Sequence, residues 1–161
     1  MNTNDFTEEY NAIFERALII SIITRSMGMV WVANLLDEEK YNQRDVFEYG
    51  MRLAKDGKTP DLIDKILTNI IDLETDNEKK LLKNIQKDAA LSIQKGVNTD
   101  DLVLILNSYV NINLDAAKKK HTEIEKRISN VVVKEFYVAQ EKNNELHERV
   151  SKEIADVFNK K

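Results

Sequence analysis

The segment 55–71, KDGKTPDLIDKILTNII, decides the fold class of this 161-residue chain. Its Asp56-Gly57 pair is typical of a helix end, because glycine adopts the left-handed backbone conformation there without strain. Thr59 and Pro60 are typical of a helix start, where a hydroxyl caps the first turn and proline occupies the first helical position. The apolar residues that follow predict a helix with one buried stripe: Leu62, Ile63, Ile66, Leu67, Ile70 and Ile71.

The same helical spacing of apolar residues continues on both sides of this segment, and no stretch alternates as a strand would. The sequence therefore predicts an all-α fold of about six helices, a bundle of helix hairpins with a long C-terminal helix. The other predicted helices run over about residues 5–36, 42–55, 77–94, 99–110 and 115–158. We expect the helix from residue 99 to be the most buried, because it is apolar nearly all round.

The first predicted helix contains a long apolar run, residues 17–36, that has the length of a membrane span. Arg25 lies near its middle, and a central arginine costs about 2.5–3.5 kcal/mol on insertion scales. We therefore predict a buried soluble helix, in which Gly28 marks a kink or a close approach of another helix. The acidic start of the chain does not resemble a secretory signal and there is no cysteine, so a cytoplasmic location is expected.

A weak internal repeat relates the middle of the chain to itself. Gly57 and Gly96 are 39 residues apart, and each follows a predicted helix and precedes a Thr-x-Asp-Leu start. Two readings remain open. Either the chain contains two well-formed helix hairpins, or an ancestral hairpin was duplicated.

The C-terminal segment, residues 114–161, is predicted to be distinct from a helical core over residues 1–113. As one helix from residue 115 to 158 it would be about 66 Å long, which exceeds a compact domain of this size. Either the polar stretch 140–145 breaks it into a hairpin, or its far half packs on a partner in a homodimer. The apolar positions that support both readings include Ile124, Ile128, Val131, Val132, Phe136, Leu146, Val150, Ile154 and Val157.

The sequence offers no constellation for catalysis, metal binding or cofactor binding. Neither His121 nor His147 has a glutamate three residues before it, and the glycine-rich phosphate and dinucleotide motifs are missing. We expect both histidines to lie at the surface or at an interface, and we expect a non-enzymatic protein without a cofactor. The formal charge of −4, and the glutamates that interrupt the basic run after Lys118, argue against a nucleic-acid partner.

The candidate interaction residues are Arg25, Met27, Met29 and Trp31. An apolar helix that is rich in methionine and tryptophan either belongs to the core or forms an adaptable groove for a protein partner. Arg25 needs a counter-charge on such a helix, and we expect an acidic side chain of another helix to supply it.

Two stretches together resemble the cytoplasmic region of MotA-type flagellar stator subunits. The first, residues 25–29 (RSMGM), is similar to that family's Arg-x-x-Gly-Met/Leu signature. The second, residues 47–67, is similar to its helix, Asp-Gly turn and Pro-Glu-Leu helix, so the match covers roughly residues 14–75. The glutamate that accompanies the family's arginine is replaced by Ala33, and the membrane helices are missing, so torque generation is not implied.

Two functions follow as expectations. The first is a soluble interaction protein related to stator cytoplasmic regions and connected with motility. The alternative is a structural all-α protein that dimerises through its C-terminal helix and is unrelated to motility.

Overall fold

A computed structural model of the chain describes residues 3–29, 32, 45–110, 113–132 and 134. These residues are helical apart from short turns, and no strand occurs among them, which confirms the predicted all-α class. The helices are α1 (Thr3–Met27), α2 (Val46–Lys55), α3 (Pro60–Asp72), α4 (Asn77–Gln94), α5 (Thr99–Asn107) and α6 (114–132). None of the helices in these ranges combines the length and the apolar composition that crossing a membrane requires.

The first helix is shorter than predicted. It ends at Met27, and Gly28 follows with a φ of +87°, a conformation that a side chain would strain. The N–H of Gly28 still donates to the carbonyl oxygen of Thr24, as in a last helical turn. The prediction of one helix over residues 5–36 was therefore wrong, because Gly28 is a helix stop between two apolar runs and not an interior residue.

The two glycine turns of the proposed repeat have the same geometry. Gly57 has a φ of +73° and Gly96 a φ of +71°. In each turn the glycine N–H donates three residues back and the next N–H donates five residues back, the bonds of a Schellman motif. The two following helices differ in their caps. Thr59 caps α3 as predicted, whereas Asn98, and not a threonine, caps α5.

The buried side chains form two apolar clusters that share α2 and α4. The main core joins α1, α4, α5 and the first part of α6 with Phe47 and Met51 of α2. The second core lies between α2, α3 and α4 and consists of Val46, Ile63, Leu67, Ile71 and Leu91. Seven residues of α4 are buried but only three of α5, so the prediction that α5 is the most buried helix was wrong.

The chain divides into two compact units, residues 1–128 and 129–161. In the first unit, Ala117 and Ile124 of α6 belong to the main core. Of the second unit the structure describes residues 129–132 and 134, which are helical. The predicted break at 140–145, the hairpin and the dimer contacts lie outside the described residues, and the division after residue 113 stays a prediction.

Candidate functional site

The predicted interaction residues lie at the carboxyl end of α1. Arg25 is exposed in the last turn, Met27 is half-buried, and Met29 packs half-buried against the main core. Trp31 lies outside the described residues. The three described residues are thus brought within one turn of Gly28, and the predicted groove beside Trp31 stays a prediction.

Among the described residues, the partner of Arg25 is a backbone carbonyl and not the expected acidic side chain. Its Nη1 donates to the carbonyl oxygen of Gly96, at a distance of 3.3 Å. Gly96 follows the end of α4, and the carboxyl end of a helix carries a partial negative charge from its unpaired carbonyl groups. Within the part of the chain that the structure describes, this backbone carbonyl stands where a carboxylate was expected.

A second candidate surface lies on α3. Its outer stripe consists of Leu62, Ile66 and Ile70 of α3 and of Leu73, which caps the end of the helix. These residues follow each other at intervals of four, four and three. The exposed fraction is 43% for Leu62 and 83% for Leu73, while Ile66 and Ile70 are half-buried. Because residues three and four apart lie on one face of a helix, the stripe is a single apolar line about 16 Å long.

The outer stripe corrects the prediction that all six apolar residues at the start and middle of α3 are buried. Ile63, Leu67 and Ile71 are buried in the second core, whereas Leu62 is exposed. The apolar arc of α3 covers about half of the helix circumference, at 100° per residue. Helices α2 and α4 cover only part of this arc, and the remainder forms the outer stripe.

Polar contacts with α4 fix how α3 is rotated. Lys87 Nζ lies 2.9 Å from Asp64 Oδ1 and donates to Thr68 Oγ1 at 3.0 Å. One turn after Thr68, at the end of α3, Lys80 Nζ lies 3.1 Å from Asp72 Oδ1. Exposed ion pairs of this kind each contribute little free energy, about 0–1 kcal/mol. Together with the buried side chains they keep one polar edge of α3 on α4, so the outer stripe faces away from it.

The N-terminus of α2 is capped by Asp45, a side chain that was not among the predicted site residues. Asp45 caps α2 by accepting from the N–H of Glu48, and it also binds Arg16 of α1 through two bonds of 2.7 Å. The guanidinium of Arg16 lies 4.9 Å from the centre of the Phe47 ring. This bidentate pair is a structural joint between α1 and α2, and no spacing rule in the sequence links residues 29 positions apart.

His121 is buried, with 6% of its surface exposed, so the prediction of a surface or interface position was wrong for this residue. Its Nδ1 lies 3.3 Å from Asp100 Oδ1, and Asp100 itself is exposed at the start of α5. His147 lies outside the described residues. Within the described ranges, no group of three or more histidine, aspartate or glutamate side chains is arranged to hold a metal ion.

Comparisons with family models, with curated proteins and with solved structures found no match to this chain. The resemblance to stator subunits therefore stays a prediction.

Proposed function

We propose that this chain is a non-enzymatic helical interaction protein whose outer stripe binds an amphipathic helix. The observation that carries the proposal is the exposure of Leu62 and Leu73 on one line of one helix. Single exposed apolar residues are normal on protein surfaces, but an aligned set is typical of a helix-docking face. Burying a leucine fully contributes about 1.5–3 kcal/mol, so a partner that covers this line would gain binding free energy from each exposed leucine.

A second copy of the chain is the occupant that the sequence favours. Leu146, Val150, Ile154 and Val157 follow each other at intervals of four, four and three residues, as the outer stripe does. A helix with this spacing would present one apolar residue per turn to the outer stripe. The proposal thus unites the interaction and dimer expectations, since the C-terminal segment of one copy would lie on α3 of another.

The test is the mass of the full chain in solution, measured by light scattering over a range of concentrations. The variant carries Leu62→Lys and Leu73→Lys, and both changes are at exposed positions where folding should persist. Leu104→Lys is the matched control, because Leu104 is 46% exposed on α5 and lies outside the stripe. We expect a dimer for the wild type and the control, and a monomer for the stripe variant and for a chain truncated after Gln140.

A wild-type chain that is monomeric at all concentrations contradicts the second-copy proposal. So does a control variant that dissociates as readily as the stripe variant. A truncated chain that remains dimeric would place the interface elsewhere.

A cytoplasmic role in motility is a second candidate, supported by the resemblance and by the exposed position of Arg25, which matches the family's arginine. Its hydrogen bond to Gly96 is long, so a partner carboxylate could replace it. The test is binding of the purified chain to a flagellar switch-ring protein, compared with Arg25→Glu. A wild-type chain that does not bind removes this candidate.

A further inference from the structure

A cavity opens between α1, α5 and α6, away from both surfaces described above. Its volume is about 110 Å³. It is lined by the aromatic Tyr10 and Phe14, the small Ala116 and Ala117, and the polar Asn11, Asn107 and Lys120. The lining is therefore apolar on most sides, with one cationic side chain.

The space exists because α6 carries two alanines where it passes α1. Further along the same face of α6, His121 and Ile124 are large and buried. The cavity opens to solvent beside Ala116, which is exposed, so its apolar lining is in contact with water. A ligand that fills the cavity would remove this apolar lining from water, which is favourable.

The charge at the cavity comes from Lys120. Its Nζ lies 5.8 Å from the centre of the Phe14 ring and 4.0 Å from Glu15 Oε2. Glu15 has a closer partner, because Arg127 donates to its Oε1 at 2.7 Å. Arg127 and Lys120 both hold the pKa of Glu15 below its usual value, with the hydrogen bond from Arg127 as the largest cause. Two cations thus face one carboxylate, which leaves Lys120 able to bind a second anion.

Tyr10 supplies a hydroxyl at the same cavity. It is buried and donates to the carbonyl oxygen of Leu106 over a long distance, 3.4 Å. Burial raises the pKa of Tyr10 to about 12, so the hydroxyl remains protonated at neutral pH. Its ring and that of Phe14 pack against each other at an angle of 37°, with their centroids 5.9 Å apart, and both line the cavity.

We propose that this cavity binds a small carboxylate with a compact apolar tail, the tail against the rings of Tyr10 and Phe14 and the carboxylate at Lys120. A cavity of about 150 Å³ lined by apolar side chains accommodates benzene. By that scale, 110 Å³ accommodates a tail of about four carbon atoms. The 3-methylbutanoate ion has a tail of this size, and 3-methylbutanamide is its neutral counterpart.

The test is calorimetric titration of the full chain with 3-methylbutanoate, at an ionic strength held constant with chloride. For so small a ligand we expect a dissociation constant of about 1 mM. The neutral amide should bind about tenfold more weakly, since it cannot form a charge-assisted bond with Lys120.

Three variants locate the binding. Lys120→Met should weaken binding about tenfold, whereas Lys119→Met, at an exposed position on the same helix, should leave it unchanged. Ala116→Leu should abolish binding by filling the cavity, and its exposed position should preserve the fold, which a thermal melt checks.

Equal affinity for the amide, equal effects of the two lysine variants, or undiminished binding by Ala116→Leu would each overturn the proposal. So would a wild-type chain that takes up no ligand. These outcomes do not depend on the mass of the chain in solution, so this proposal and the proposed dimer succeed or fail separately.

Discussion

Gly50 of α2 packs closely against α4 and α3. A Cβ placed on Gly50 would lie 2.7 Å from the Cβ of Ala90 and 3.1 Å from Cδ1 of Leu67. Favourable carbon contacts have a separation of about 3.5–4.0 Å, so the contact with Ala90 would be about 1 Å too short. The tip of Leu67 can rotate away, but the Cβ of Ala90 moves only with the backbone of α4.

Gly50→Ala should therefore destabilise the protein, although alanine is the better helix former. Overpacking of this kind costs about 1–3 kcal/mol, and the gain in helix propensity returns about 1 kcal/mol. The short contact to an atom fixed on the backbone favours the upper part of that range, which leaves a net loss of about 1–2 kcal/mol. For a chain of this length, each kcal/mol lowers Tm by about 2–4 °C.

The decisive control repeats the substitution in an Ala90→Gly background. Removing the Cβ of Ala90 removes the short contact, so Gly50→Ala should then raise the stability by about the propensity gain, 1 kcal/mol. Thermal melts followed by circular dichroism measure both effects. A higher Tm for Gly50→Ala in the wild-type background would refute the reasoning, because it would mean that α2 and α4 are further apart than described.

Two further predictions concern a turn and an acidic side chain. Gly57→Ala should lower the free energy of unfolding by about 1–2 kcal/mol. The cause would be backbone strain at a φ of +73° and not a steric clash, because no atom lies within 4 Å of the new Cβ. Gly57→Asn should cost less, because asparagine tolerates this conformation better, and equal melting temperatures for the two variants would contradict this. The hydrogen bond from Lys83, assisted by the backbone N–H of Asp76, lowers the pKa of Glu74 from 4.5 to about 2. Because the folded-state pKa is depressed, this stabilisation is present above pH 4.5 and is lost as the pH falls towards 2. Glu74→Gln should reduce the decrease of Tm between pH 4.5 and pH 2. An unchanged dependence of Tm on pH in this variant would count against the prediction.

Local signals predicted the middle of the fold well. The bounds of α3 and α4 follow from caps and stops that lie next to each other in the sequence, such as Thr59 with Pro60 and Gly96 after the last turn. The end of α1 was missed because Gly28 stands between two apolar runs, and the apolar periodicity continues across it. The joint between Arg16 and Asp45 and the burial of His121 were missed because they depend on which helices meet, which periodicity does not encode.

An exposed apolar surface such as the outer stripe is difficult to predict from the sequence, although the sequence contains a signal for it. An apolar arc that covers half of a helix predicts burial, but it does not say how many partners share the burial. In α3 the second core takes Ile63, Leu67 and Ile71, and Ile70 packs at its edge, whereas Leu62 and Leu73 remain exposed. The signal in the sequence is the width of the apolar arc, because a helix that packs against a single core needs an apolar arc of only about 100°. An apolar helix face that is wider than its neighbours can cover is therefore the feature that points to a further helix, and the C-terminal segment has the spacing to be that helix.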